Sequence, residues 1–237
     1  MPRPDKRAND ALRPLTLERG VSPFAEGSCK VTMGDTVVYC TASVEQGTPP
    51  WRKGTGLGWI TAEYAMLPRA TLSRTQRERR GAGGRTTEIQ RLIGRSLRAT
   101  VDDFGFGEYT IRVDCDVLQA DGGTRTASIT GATVALVDAL RWLSSTHGVD
   151  NPFKRLVAAV SVGIVDGEPR LDLCYVEDAN AGVDANVVKA FPDHYVEMQG
   201  TGENGTFARE EWDALLALAD TGIKQIFVAQ REVLAVT

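Results

Sequence analysis

From Ser28 to Met33 polar and apolar residues alternate, with Cys29, Val31 and Met33 on one face. The pattern resumes over Thr36–Cys40 after Gly34-Asp35. A period of two on both sides of a Gly-Asp turn predicts a β-hairpin. A Pro/Gly-rich connection (Pro49-Pro50, Gly54, Gly56, Gly58) leads to a short apolar run, Trp59 to Met66, and then to an arginine-rich, glycine-rich stretch that reads as a loop. Ile89, Leu92, Ile93, Leu97, Val101 and Phe104 then recur at three and four, which predicts an amphipathic helix beginning near Thr86. Its other face carries Glu88, Arg91, Arg95, Arg98 and Asp102, a spacing suited to solvated pairs or to contact with another subunit.

The period returns to two over Tyr109–Val117, predicting a half-buried strand. Ile129, Ala132, Thr133, Leu136, Val137 and Leu140 mark a second amphipathic helix, for which Thr126 is the expected N-cap. Leu156 to Val165 is an apolar strand, Asp166-Gly167 its turn and Leu171 to Tyr175 the expected return strand. Short strands are expected around Val187 and over Tyr195–Met198, then a helix from Ala208 to Asp220 closed by Gly222, and a last helix from near Ile223. Interleaved strands and helices with frequent hairpins predict an α+β fold with mixed sheets. At 237 residues with 42% hydrophobic content the chain can bury a sizeable core, and residues 1–237 are taken as a single domain.

Two turns stand out against this pattern. Gly83-Gly84-Arg85-Thr86 and Gly122-Gly123-Thr124-Arg125-Thr126 each follow a strand-like run and open onto a helix-like run. Glycine lets the backbone approach an anion, the first N–H groups of a helix lack intrahelical partners, and the helix dipole adds positive potential there. An arginine beside such a turn can clamp anion oxygens bidentately. The paired strand, turn and helix suggest a pseudo-repeat that binds phosphate.

Charge sharpens the picture. Residues 69 to 98 hold nine arginines against Glu78 and Glu88, a net +7, whereas the whole chain is −4, so the remainder carries −11. A basic field confined to one region of an acidic protein suits a polyanionic substrate held at one place. The four cysteines (29, 40, 115, 174) lack Cys-x-x-Cys spacing and read as small buried thiols. The amino terminus is polar and no run of about 18 apolar residues occurs, so a cytoplasmic protein without membrane attachment is expected. The two histidines, His147 and His194, have no acid or nucleophile motif around them, which argues against a serine or cysteine triad and against His/Cys metal ligation. Carboxylates are plentiful: residues 172 to 220 hold eleven acids against Lys189 and Arg209. Among them Glu177-Asp178 and Asp184 stand in a Gly/Ala/Asn-rich stretch expected to be a loop, and such oxygen ligands suit Mg²⁺.

Four segments carry a family resemblance: Gly58-Trp59-Ile60-Thr61-Ala62-Glu63-Tyr64, Gly83 to Arg91, Asp114 to Gly131 and Tyr175-Val176-Glu177-Asp178. In this order they resemble the ribonuclease PH family, over nearly the whole chain from Arg13-Pro14 onward. The resemblance implies a fold like the second domain of ribosomal protein S5. It also implies a phosphate-dependent 3′-to-5′ exoribonuclease that trims transfer RNA precursors and other structured RNA 3′ ends, assembled as a homohexamer, a trimer of dimers. Carried over, Arg85, Gly123, Thr124 and Arg125 hold inorganic phosphate, the co-substrate, and Asp178 and Asp184 hold Mg²⁺. Arg85, Arg125, Asp178 and Asp184 thereby form the catalytic set. Arg69, Arg74, Arg77, Arg79 and Arg80 would line a central opening and capture RNA. Two alternatives stand beside this reading: a non-catalytic RNA-binding subunit of an exosome-like ring, and a Mg²⁺-dependent hydrolase.

Overall fold

The computed structural model describes residues 2–78, 81–203 and 205–236. Strand β1 spans Leu15–Arg19, β2 Gly27–Met33, β3 Thr36–Gln46, β4 Trp59–Met66 and β5 Tyr109–Gln119, and together they form a five-stranded sheet ordered β1-β2-β3-β5-β4. Its pairs are antiparallel except β4 with β5, which are parallel and joined through helix α1, Gly84–Arg98. The second sheet is antiparallel throughout: β6 (Val157–Val165), β7 (Glu168–Leu171), β8 (Val183–Ala190) and β9 (His194–Gly202), ordered β7-β6-β8-β9. The fold is thus α+β with one mixed sheet and one purely antiparallel.

Helix α2, Thr124–His147, sits between the sheets, touching β2, β3 and β5 on one side and β6 on the other. Its buried residues include Ala127, Ile129, Ala132, Val134, Leu136, Val137 and Leu140, so its apolar surface runs most of the way round, as a fully enclosed helix requires. Gly27 makes close docking of this helix possible, because a Cβ there would lie 1.9 Å from the Ala135 carbonyl oxygen. One hydrophobic cluster joins both sheets with α1, α2 and α4, the last being Arg209–Leu234. All four cysteines are buried free thiols. No helix among the described residues is long and apolar enough to cross a membrane.

Several elements differ from the sequence expectation, each for a local reason. Helix α1 stops at Arg98; Val101 forms a bridge with Phe153, and Phe104 takes a positive φ of 59°, so the three-four spacing outruns the helix. Thr126 does not cap α2 but lies inside it, its hydroxyl donating to the Gly123 carbonyl, while Gly123 is the N-cap. The return strand β7 ends at Leu171 because Asp172, fully buried at φ 55°, turns the chain, and Tyr175 instead starts the short helix α3, Tyr175–Asp178. Helix α4 continues through Gly222, which packs against Leu171 and Leu12 where a Cβ would meet side-chain carbons at 2.8 and 3.2 Å. That glycine thins the helix at a crossing and does not end it. Strand β1 carried too short an alternation to be read from sequence.

Candidate phosphate and carboxylate site

The second Gly-Gly turn follows β5 directly. Gly122 and Gly123 both have positive φ, 72° and 64°, a conformation that costs other residues free energy. Thr36 holds the turn in place: its hydroxyl donates to the Gly122 carbonyl at 2.7 Å and accepts the Asp121 N–H at 3.0 Å. The first turn of α2 therefore opens without a side-chain cap and without an acidic residue, leaving its leading N–H groups to an outside acceptor. Helix α1 begins in the same way at Gly83, with Arg85 as its second residue. The contrast with α3 and α4 is plain, since there Glu177 and Glu211 accept the Cys174 and Ala208 N–H groups.

The two turns are not equivalent. Gly83 is extended, at φ −66°, and its helix follows the arginine loop and not a strand. Glu78, from that loop, accepts the Thr86 hydroxyl at 2.9 Å beside the first turn of α1.

Around the α2 turn the charged groups converge. Arg125 is half-buried, with Nη1 3.4 Å from Gln199 Oε1 and 3.5 Å from Glu88 Oε1. The Tyr64 hydroxyl lies 2.9 Å from Thr124 Oγ1; burial pushes its pKa up, while the Thr124 hydrogen bond and the charges of Arg85 and Arg125 pull it back. Asp178 closes α3, and Asp184 is the second residue of β8, a strand and not the expected loop. Burial raises the Asp178 pKa against the opposing charges of Arg125 and Arg85. Burial and the nearby Asp178 charge push Asp184 up to about 6, again opposed by Arg125 and Arg85. The charges of Arg85 and Arg125 are therefore felt at both Asp178 and Asp184, though the four residues come from α1, α2, α3 and β8.

Glu203, just past β9, also raises both aspartates. Sequence reading missed it as a neighbour because only the β8–β9 pairing brings it there: Gly202 is paired with Val183, and the Glu203 N–H donates to the Gly182 carbonyl at 3.0 Å. Among the described residues, no three His, Cys, Asp or Glu side chains form a metal-holding group. Any divalent ion here would draw its other ligands from substrate oxygens and water.

The arginine loop is only partly drawn into this site. Arg77 lines a cavity of about 550 Å³ together with Tyr64, Arg85 and Gln90. Arg69 and Arg74 are exposed and do not line it. Arg79 and Arg80 lie outside the described residues. His147 contacts Tyr109 and Trp142, and His194 starts the exposed edge of β9, so neither histidine joins the site.

A buried ionic network lies behind α3, also missed from sequence. Arg3 grips Glu177 through Nε and Nη2 at 2.8 and 3.0 Å, and Arg170 reaches the same carboxylate at 3.2 Å. Arg13 forks onto Asp172 at 3.0 and 2.7 Å. The chain offered only scattered arginines here; partners more than 150 residues apart have no local signature.

An uncapped helix start at Gly123, with Arg85 and Arg125 acting electrostatically on Asp178 and Asp184, is the candidate site the structure offers. Sequence comparison gives the family: residues 11–141 match the first domain, and residues 155–222 the second domain, of the 3′ exoribonuclease family. The chain belongs to that family, the phosphorolytic exoribonucleases of ribonuclease PH type. Solved structures agree on the fold. Rrp46 from rice (Oryza sativa) superposes with a TM-score of 0.80 at 22% identity, covering 98% of this chain and 100% of that one. The Archaeoglobus fulgidus exosome with RNA bound to the active site gives 0.80 and 22%, covering 94% and 91%. An archaeal exosome core gives 0.75 and 22%, covering 96% and 89%.

Proposed function

We propose that the protein is a phosphate-dependent 3′-to-5′ exoribonuclease that shortens transfer RNA precursors and other structured RNA ends, releasing nucleoside diphosphates. The convergence of Arg85, Arg125, Asp178 and Asp184 on one site carries this reading. Inorganic phosphate binds at the Gly123-Thr124-Arg125 mouth of α2, with Arg85 closing from α1, so that an oxygen of the ion faces the last phosphodiester. That oxygen forms a bond to phosphorus while the bond to the 3′ oxygen of the preceding nucleotide breaks. The leaving oxygen takes up the proton that the attacking hydrogen phosphate gives up and becomes the new 3′ hydroxyl. Arg125 and Arg85 offset the negative charge that gathers in the transition state. One phosphoester is exchanged for one anhydride, so the reverse addition of nucleotides from diphosphates also runs.

The carboxylate pair fits Mg²⁺: both are hard oxygen donors, and burial together with the Asp178 charge raises the Asp184 pKa, a cost that a nearby divalent cation would offset. Asp178 and Asp184 would hold it, and when bound it supplies further charge neutralisation at the scissile phosphate. A homohexameric ring in the cytoplasm completes the reading, with Arg69, Arg74, Arg77, Arg79 and Arg80 gathering RNA.

A second reading, a non-catalytic RNA-holding subunit of an exosome-like ring, is favoured by the solved structures above, which are an Rrp46 and two exosomes. A 3′-extended RNA incubated with and without phosphate separates the two. Phosphate-dependent release of nucleoside diphosphates supports the first; binding without shortening supports the second.

A further inference from the structure

We propose that Arg13 is a positioning residue that fastens the phosphate turn to the chain leading into the carboxylate helix, and so fixes the spacing between nucleophile and scissile bond. This rests on the reaction proposed above. The phosphate turn ends β5, in the five-stranded sheet, whereas Asp172 follows β7, in the four-stranded sheet. Arg13 precedes β1 and bridges the two. Its Nε and Nη2 take both carboxylate oxygens of Asp172 at 3.0 and 2.7 Å, and its backbone N–H donates to Oδ2 at 2.8 Å. Nη1 of the same guanidinium donates to the Asp121 carbonyl, and Nη2 also reaches the Gly122 carbonyl at 3.4 Å. The Arg13 side chain is 3% exposed and that of Asp172 fully buried.

Two further contacts make this a joint between the loops and more than a stray ion pair. Asp121 accepts the Tyr175 N–H through Oδ1 at 3.1 Å, so the residue before the phosphate turn also ties down the first residue of α3. Gly122 lies backbone to backbone on that segment: a Cβ would come within 2.5 Å of the Leu173 carbonyl and 2.7 Å of the Cys174 carbonyl carbon. Between Gly122 and Arg125 there are two residues, and between Tyr175 and Asp178 also two. A shift at the joint therefore moves the phosphate arginine and the aspartate against one another. The job needs a planar fork with donors on two sides, which a lysine cannot supply. A displacement of about 1 Å in such a geometry costs a reaction ~10²-fold.

The test uses the full chain carrying Arg13→Lys, and separately Asp121→Ala, whose partly exposed side chain is removed without opening the core. Two quantities are read: KM for inorganic phosphate against kcat, and hydrogen exchange of the Asp121 and Tyr175 amides. A lower folded fraction would reduce kcat and leave KM unchanged. A loosened joint raises the phosphate KM, by roughly 10-fold, and quickens exchange at both amides while β8 stays protected. An unchanged phosphate KM, or unchanged exchange at both amides, overturns the proposal. If Arg13→Lys does not fold, Asp121→Ala, which removes the 3.5 Å ion pair with Arg13, is read by the phosphate KM and by exchange at the Asp121 amide alone, since it also removes the acceptor of the Tyr175 amide. If the wild-type protein releases no diphosphate, the functional reading fails, and the exchange measurement still decides whether Arg13 joins the two loops.

Discussion

Glu177 is the residue whose chemistry the structure defines most closely. Burial would raise its pKa, but the Arg3 hydrogen bond, the Cys174 N–H and the charges of Arg3 and Arg7 outweigh it, and the net shift is downward from 4.5. A carboxylate with a lowered folded pKa stabilises the protein above its unfolded pKa, and that contribution is lost as pH falls through the folded value. Glu177→Gln should therefore destabilise the protein by about 3–5 kcal/mol at neutral pH, since it leaves buried arginine charge uncompensated. The deficit should shrink below pH 4.5, and denaturant unfolding at several pH values reads it. A deficit that stays constant down to strongly acidic pH would mean that the charge is not what matters. At the proposed reaction centre, Arg125→Ala should cut phosphorolysis by ~10²-fold, the typical loss for one preorganised charge-stabilising group. Asp184→Asn should abolish Mg²⁺-supported shortening and leave RNA affinity nearly unchanged, as a filter-binding and turnover comparison would show. Normal turnover in both Asp178→Asn and Asp184→Asn would make these acids bystanders.

The elements are where sequence reading succeeded and failed most visibly. Strands β2, β3 and β5 and helix α1 were legible because each has a more buried face, which imposes a period of two or near 3.6, whereas β6 and α2 are enclosed on both sides and were legible as an apolar run and as apolar positions recurring at three and four. Glycine was the less reliable sign, because the same residue serves a turn at Gly122 and a helix crossing at Gly222. Only tertiary neighbours tell the two uses apart. The turn glycine is the one with mechanism attached: Gly122→Ala puts a Cβ against the Leu173 carbonyl and a non-glycine residue at φ 72°. The backbone strain alone costs about 1–3 kcal/mol. For a chain of this size each kcal/mol lowers the melting temperature by roughly 2–4 °C. Calorimetry checks the loss, and an unchanged melting temperature would show that the turn has room it is not expected to have.

At the scale of the molecule, the candidate site was legible as residue types and motif order, whereas its assembly was not. Arg85 and Asp184 are about one hundred positions apart in the chain, and their meeting depends on α2 lying between two sheets. Glu203, Arg3 and Arg13 were invisible for the same reason: each acts across a long sequence separation, through strand pairing or buried ion pairs. The exposed arginines of the loop raise a question of assembly. In a ring their charge would be pooled against the body of an RNA, with phosphate contacts giving affinity without reading sequence. Replacing Arg69, Arg74 and Arg77 together should flatten the salt dependence of transfer RNA binding and leave turnover on a very short oligonucleotide unchanged. Equal losses on long and short RNA, or a monomer by light scattering, would count against a shared basic channel. The central claim, that inorganic phosphate is the nucleophile, is tested most directly by supplying radiolabelled phosphate with a 3′-extended RNA and locating the label. The account predicts label in the terminal phosphate of released nucleoside diphosphates, lost in Arg125→Ala. Unlabelled nucleoside monophosphates, released whether or not phosphate is present, would contradict it.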